Sequence, residues 1–407
     1  MREIRLNLKP LGKVLDILGS PHLKIPVISV AGTNGKGSVC AFMESILKAA
    51  GITPGLYTSP HLIHIRERIR IGSEIPPEEY NRLAGKISLA EDQAGEKLTE
   101  FEKVTSLAIL YFFEKGCPLS IMETGMGGRF DASNICERKI ASIITSVDID
   151  HSSFLGNTRE DIAKEKGGII KKNVPVIDGS FTRSIKKKAL QLSAPRFEPG
   201  RDFNILDIKK EEDGFYSFTY VSNKIRLKKL RPSLRGSHQC FNAALASAAA
   251  EAVNINISAA QIRKGINSAF LPGRLEYLNI GEEKKLILDC AHNPAACRRL
   301  ADFFKQQKER GLYTVMAVFK DKDYAPMIRS VEEVSKKIFT FTLPSDRGLA
   351  GDILAREGGE KVENRGSLSE AFSAALNASL PGESILACGS FKTVSGVMEI
   401  VKNKHEK

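Results

Sequence analysis

No apolar run in this chain approaches the ~20 residues that a membrane-crossing helix needs, so a membrane span is not expected. The opening MREIRLNLKP has no apolar stretch of the kind that heads a secretory signal, and a cytoplasmic place is the expectation. Cysteine is sparse and its spacing forms no pairs. Cys40, Cys117, Cys136, Cys240, Cys290, Cys297 and Cys388 contain no Cys-x-x-Cys, so neither a zinc ribbon nor a disulfide framework is indicated, and they read as reduced, mostly buried thiols. Internal repeats and low-complexity tracts are also missing. The net charge of +12 comes from 60 basic against 48 acidic residues, but the basic clusters at 185–188 and 224–231 are not interleaved with aromatics. Charge alone therefore does not separate nucleic acid from anionic small molecules or plain solubility. What is present is 407 residues, 42% hydrophobic and 27% charged, which suits a soluble enzyme of two domains.

Along the first ~180 residues, short apolar strands alternate with helix-length amphipathic segments, the pattern of a parallel sheet wrapped by helices. The clearest strands are Val27 to Ala31, Leu119 to Glu123, Ile140 to Val147 and Val174 to Ile177. A helix from Lys36 to Ala50 stops at Gly51, Pro76 and Pro77 open another, and Thr158 with Asp161 resembles a capping box. Between residues 200 and 231 the alternation FNILDIKK, GFYSFTYV, NKIRLKKL predicts antiparallel hairpins. An Ala-rich helix from Phe241 to Val253 and a helix starting near Ser258 follow. Leu271-Pro272-Gly273 then punctuates the chain before a second strand series, LILDC, TVMAVF, KIFTFTL and SILACGS. The expected domains are 1–271 and 272–407.

Four segments carry chemistry. The strand VISVA runs into Gly32-Thr33-Asn34-Gly35-Lys36-Gly37-Ser38 and then a helix, an arrangement in which loop amides, helix N-terminus and Lys36 cradle phosphate while a hydroxyl holds magnesium. It departs from the strict G-x4-G-K-[ST] pattern, and a glycine-rich turn without ligand is the less favoured alternative, weakened further by the strand and helix that flank the loop. METGMGGRFDASN, at residues 122–134, leaves a strand end where ligands bind in such sheets. Glu123 there is a metal carboxylate or a solvated loop acid, and Asp131 a turn former. In the third segment, Ser146 to Lys171, His151 accompanies Asp148 and Asp150, a set compatible with magnesium or manganese, or is a hydrogen-bonded structural histidine. Lys164, Lys166, Lys171 and Lys172 read by themselves as a solvated face. The fourth set comprises His238, Gln239 and Asn242, then Arg274 beyond the Pro-Gly, then Asp289, His292 and Asn293. Arg274 could reach phosphate, whereas Asn242 could be a cap and His292-Asn293-Pro294 a turn.

In order, AGTNGKGS, YTSPHL, ETGMGGRFDASN, DHSSFLGNTREDIAKEKGGIIK, GSHQCFNAALA, LPGRLE and DCAHNP resemble the dihydrofolate synthase and folylpolyglutamate synthase family, the folate branch of the Mur-type ligases. The resemblance spans residues 31–294 and continues more loosely through FKDKD and CGSF. It implies an α/β fold: a P-loop ATPase domain with a mostly parallel sheet and antiparallel additions, plus a smaller Rossmann-like C-terminal domain, with substrates in the cleft between them. The implied reaction joins L-glutamate to dihydropteroate or a reduced folate with ATP, through an acyl phosphate, with one or two magnesium ions.

Carried over by residue, Gly32 to Ser38, Asn242, Arg274, Asp289 and His292 would hold nucleotide. Ser38, Ser59, Glu123 and His151 would contact magnesium, and Thr58, Ser59, Pro60, His61 and Leu62 would border the folate pocket. Lys36, Lys166, Arg274 and His151 would serve the transfer itself, with Lys166 a candidate for carbamylation. EKGG replaces the family's usual EKAG, Cys290 stands at a usual glycine, and CGSFKTVSGV follows the C-terminal signature only in part. The expected partners are small molecules rather than nucleic acid or membrane, for a monomer. Two rival readings are a ligase of the same architecture acting on cell-wall precursors and a nucleic-acid-dependent P-loop NTPase.

Overall fold

The computed structural model describes residues 7–150, 152–281, 283–307 and 312–405. By their contacts the residues group into two units, Met1–His61 with Ile65–Phe270, and Leu62–His64 with Leu271–Lys407. The division between Phe270 and Leu271 lies one residue from the expected boundary, and the second unit also takes in Leu62–His64, with Leu62 buried in an apolar cluster with Leu286, Leu288, Phe339, Ile385 and Val397.

In the first unit the strands are β1 (Val27–Ala31), β2 (Gly55–Tyr57), β3 (Ile69–Ile71), β4 (Ser73–Glu74), β5 (Ser120–Glu123), β6 (Lys139–Ile144), β7 (Val176–Asp178) and β8 (Arg196–Phe197). They form one sheet in the order β4-β3-β2-β5-β1-β6-β7-β8. The pairs from β2 to β8 are parallel, and β3 and β4 add an antiparallel edge. All five residues of β1 are buried, as expected of a strand covered on both faces. From β1 the chain first builds toward β2 and β5, then crosses to β6 and beyond. This reversal opens a crevice at the carboxyl ends of β1, β5 and β6.

A separate antiparallel meander follows, β9 (Phe203–Lys210), β10 (Tyr216–Ser222) and β11 (Arg226–Leu230), matching the expected hairpins. The Ala-rich helix begins earlier than expected, at His238, and runs to Ala252. Asn242 is therefore inside the helix rather than at its cap. The helix Ala259–Ser268 starts with a complete Ser258/Gln261 capping box.

The second unit holds β12 (Arg274–Asn279), β13 (Lys285–Asp289), β14 (Leu312–Met316), β15 (Ser335–Thr340), β16 (Val362–Asn364) and β17 (Ser384–Cys388), ordered β12-β13-β17-β14-β15-β16. Only β12 is antiparallel to its neighbour. Arg274, read from the sequence as following a hinge, thus opens an edge strand. Among the described residues, no helix is long and apolar enough to cross a membrane.

Candidate functional site

The loop after β1 is held from behind by the end of β6. Thr33 N–H donates to Ser146 O (2.7 Å), Thr33 Oγ1 donates to Asp148 O (3.0 Å), and Thr145 Oγ1 donates to Asn34 O (2.7 Å). The approach is so close that a Cβ on Gly32 would lie 1.8 Å from Thr145 Oγ1. Gly35, with φ of +88°, caps the helix Lys36–Ala49, and a Cβ there would meet Asn242 Oδ1 at 2.5 Å. Glycine is required at both places, by contact at the first and by contact and left-handed backbone at the second. Asn242 is fixed in turn, donating through Nδ2 to Gln239 Oε1 (2.9 Å).

Lys36 curls over its own loop, its Nζ donating to Gly32 O (3.1 Å) and Thr33 O (3.3 Å). Lys166 Nζ donates to the same Gly32 oxygen at 2.8 Å. Two lysine amines thus converge on one carbonyl. Lys166 is only 4% exposed, and burial first, then the charge of Lys36, push its pKa down to about 7. It is not the solvated lysine that the sequence suggests in isolation.

The turn carrying Lys166 is clamped to the loop after β5. Arg129 N–H donates to Glu165 O (2.9 Å), and Asn134 Nδ2 donates to Arg129 O (3.0 Å) and Gly168 O (3.2 Å). Asp131 folds that loop on itself, accepting from Gly125 N (2.8 Å), Met126 N (2.9 Å) and Ser133 N (3.0 Å), while burial raises its pKa. Lys139, which sequence reasoning missed, opens β6 as a buried amine donating to Asn134 Oδ1 and to Ile169 O. Burial pushes its pKa down to about 7, with Lys171 assisting. Its signal was a lysine at the head of the mostly apolar KIASII.

Glu123 ends β5 and is 4% exposed; its Oε2 accepts Ser59 N–H at 3.1 Å. Ser59 Oγ is buried and has no hydrogen-bond partner among the described residues. A buried carboxylate beside a buried hydroxyl oxygen suits a hard cation such as magnesium, which keeps waters and takes only one or two carboxylates. Among the described residues no group of three His, Cys, Asp or Glu side chains could enclose a metal, so an all-protein cage is not what these residues provide. His151 lies outside the described residues. Ser38 is buried in the first turn of the Lys36–Ala49 helix. Thr58, Ser59, Pro60 and His61 leave β2, with Thr58 N–H donating to Arg68 O (3.0 Å) and Arg68 Nε to His61 Nδ1 (3.0 Å). Leu62 belongs to the second unit.

There, Asp289 accepts from Leu275 N (3.0 Å) and Ala291 N (2.9 Å); burial raises its pKa against the pull of Arg274. The Arg274 guanidinium lies 5.4 Å from the Phe391 ring centroid, and the His292 ring is also 5.4 Å from it. Asn293 Oδ1 accepts Ala296 N–H (2.9 Å), a capping bond at the head of the helix Pro294–Gln307, where the sequence by itself suggested a turn.

The family described as "Mur ligase middle domain" matches residues 30–250, and "Mur ligase, glutamate ligase domain" matches 273–391. The dihydrofolate synthase/folylpolyglutamate synthase of Bacillus subtilis is 37% identical over 356 residues, covering 83% of this chain and 82% of that protein. A probable bifunctional folylpolyglutamate synthase/dihydropteroate synthase of Haloferax volcanii is 32% identical across 97% of this chain, which spans 48% of that longer protein. Escherichia coli FolC in complex with DHPP and ADP superposes with a TM-score of 0.90 at 32% identity, over 99% of this chain and 94% of that one. The bifunctional folylpolyglutamate synthase/dihydrofolate synthase of Yersinia pestis, complexed with AMPPNP and Mn ion, gives 0.87 at 30% identity, over 98% of this chain and 95% of that one.

Proposed function

Since the chain belongs to the dihydrofolate synthase/folylpolyglutamate synthase family of Mur ligases, we propose that its Gly32–Ser38 loop holds the triphosphate from which an acyl phosphate is made. The chain is an ATP-dependent, ADP-forming ligase that joins L-glutamate to dihydropteroate or to reduced folate glutamates. A free carboxylate resists amines because its leaving group would be oxide. Phosphorylation replaces that leaving group with phosphate, which departs when the α-amino nitrogen of glutamate attacks.

The residues need only position and stabilise, since no nucleophilic side chain takes part. Lys36 and the loop amides after β1 bind the phosphates, and Asn242, Arg274, Asp289 and His292 are assigned to the nucleotide. Ser38, Ser59, Glu123 and His151 are the candidate ligands of the divalent ion, which when bound neutralises charge on phosphate oxygens. Thr58 to Leu62 are assigned to the folate side. Carbamylation of Lys166 is proposed because carbon dioxide adds to a neutral amine, the form that burial favours here. Intact mass under carbon dioxide, compared with Lys166→Arg, tests it; no labile adduct in the wild-type chain refutes it. A cytoplasmic monomer completes the proposal, to be checked by light scattering.

The observation that carries this reading is the convergence of Lys36 and Lys166 on Gly32 O at the carboxyl end of β1. Its test is product mass after incubation with ATP, magnesium and L-glutamate, with dihydropteroate and tetrahydrofolate compared. A glutamate adduct on either, with ADP released, is expected; no adduct on both would sink it.

A further inference from the structure

The loop after β7 holds an aromatic ring that neither the core nor the reaction accounts for. Phe181 is 64% exposed and has φ of +55°, a conformation that bulky residues rarely adopt. Its neighbours leave it little freedom to relax. Ser180 N–H donates to Asp178 Oδ1 (3.0 Å), Arg159 Nη2 donates to Ser180 O (3.3 Å), and Ser184 N–H donates to Glu160 Oε2 (2.9 Å). Gly179 is pressed against the chain just past β6, where a Cβ would meet Thr145 O at 2.7 Å. Strain of this kind persists where the surroundings impose it, and an exposed ring gains nothing from burial in return. A hydrophobic staple is excluded, because the fourth position of the following helix is Lys186.

The ring does have one partner. Phe181 and Phe241 lie with centroids 6.1 Å apart and planes tilted by 34°. Phe241 precedes Asn242, which abuts Gly35 of the phosphate loop, and Leu245, one turn further along the same helix, packs on Gly179. The His238–Ala252 helix therefore ties the aromatic pair and the phosphate loop into one frame. We propose that Phe181 and Phe241 form the stacking platform for the purine base of the nucleotide. This rests on the assignment of Gly32–Ser38 to the phosphates. Stacking on a flat ring reads no hydrogen-bond pattern, so the platform supplies affinity for a base more than choice among bases.

The test compares magnesium ADP with magnesium tripolyphosphate, a probe with no base, by calorimetric titration. Phe181→Ala should weaken ADP roughly tenfold, as loss of one base–aromatic stack does, and leave tripolyphosphate unchanged. Phe181→Tyr should bind ADP as the wild type does. Phe181→Gly suits the positive φ, so it should unfold at no lower temperature than wild type and still bind ADP weakly, separating lost stacking from lost fold. Undiminished ADP affinity in the alanine and glycine variants, or equal weakening of both probes, overturns the platform. A Lys36→Ala protein that binds both probes like wild type removes the phosphate assignment and the platform with it.

Discussion

At Gly32 a single carbonyl oxygen accepts from two lysine amines, a crowding that makes sense where negative charge is to be received. Lys36→Ala should lower kcat by ~100-fold or more, the order for one preorganised electrostatic contact. Unchanged turnover would discredit the phosphate role. Glu123→Gln should raise the magnesium concentration needed for half-maximal rate, and identical titrations would take Glu123 out of the metal site. Lys139 gives a pH test. Its pKa falls from 10.5 to about 7 on folding, so between those values the unfolded chain binds more protons. Stability then rises with pH across that window, by at most about 1.4 kcal/mol per unit from this group. Lys139→Met should flatten the rise in urea denaturation between pH 7 and pH 9; equal slopes would count against it. Lys36 and Glu123 could be read from the sequence because each ends or follows an apolar strand. Lys139, Thr145 and Ser146 could not, since their partners lie on other segments.

Among elements, the paired turns at Gly128 and Gly168 decide how Lys166 is presented. A Cβ on Gly168 would sit 2.3 Å from Arg129 Cα, whereas the nearest atom to one on Gly167 would be the Ile185 Cδ1 methyl, at 3.0 Å. Gly168→Ala should therefore destabilise by about 1–3 kcal/mol and reduce turnover, while Gly167→Ala, at a helical backbone position, should be near neutral. Paired denaturation curves decide the matter, and equal midpoints for the two variants would contradict it. The departure of EKGG from EKAG thus falls on the tolerant glycine. The central strands were legible because residues buried on both faces write continuous apolar runs. Both β12 and the short β2–β4 edge were not: RLEYLN mixes polar and apolar residues at a sheet edge, and strands of two or three residues leave no period to detect. The early start of the helix at His238 was hidden because Ser237 makes no side-chain cap bond.

For the molecule as a whole, nucleotide should stabilise in proportion to its occupancy. Magnesium ADP at a hundred times its Kd should add about 2.7 kcal/mol against urea. No shift at that concentration would mean that the folded chain does not bind it. DNA or RNA should leave turnover unaltered despite the charge of +12, and stimulation by either would revive the nucleic-acid reading. The Leu271-Pro272-Gly273 break was visible because Pro and Gly interrupt an alternating pattern. The excursion Leu62–His64 was invisible, since three residues have no composition of their own.

That excursion governs how the gene can be divided. A product ending at Phe270 would carry Leu62 as a stranded apolar side chain, and one starting at Leu271 would lack Leu62 from the apolar cluster that includes Leu288 and Val394. Dissection into autonomous halves therefore requires a compensating graft as well as a cut.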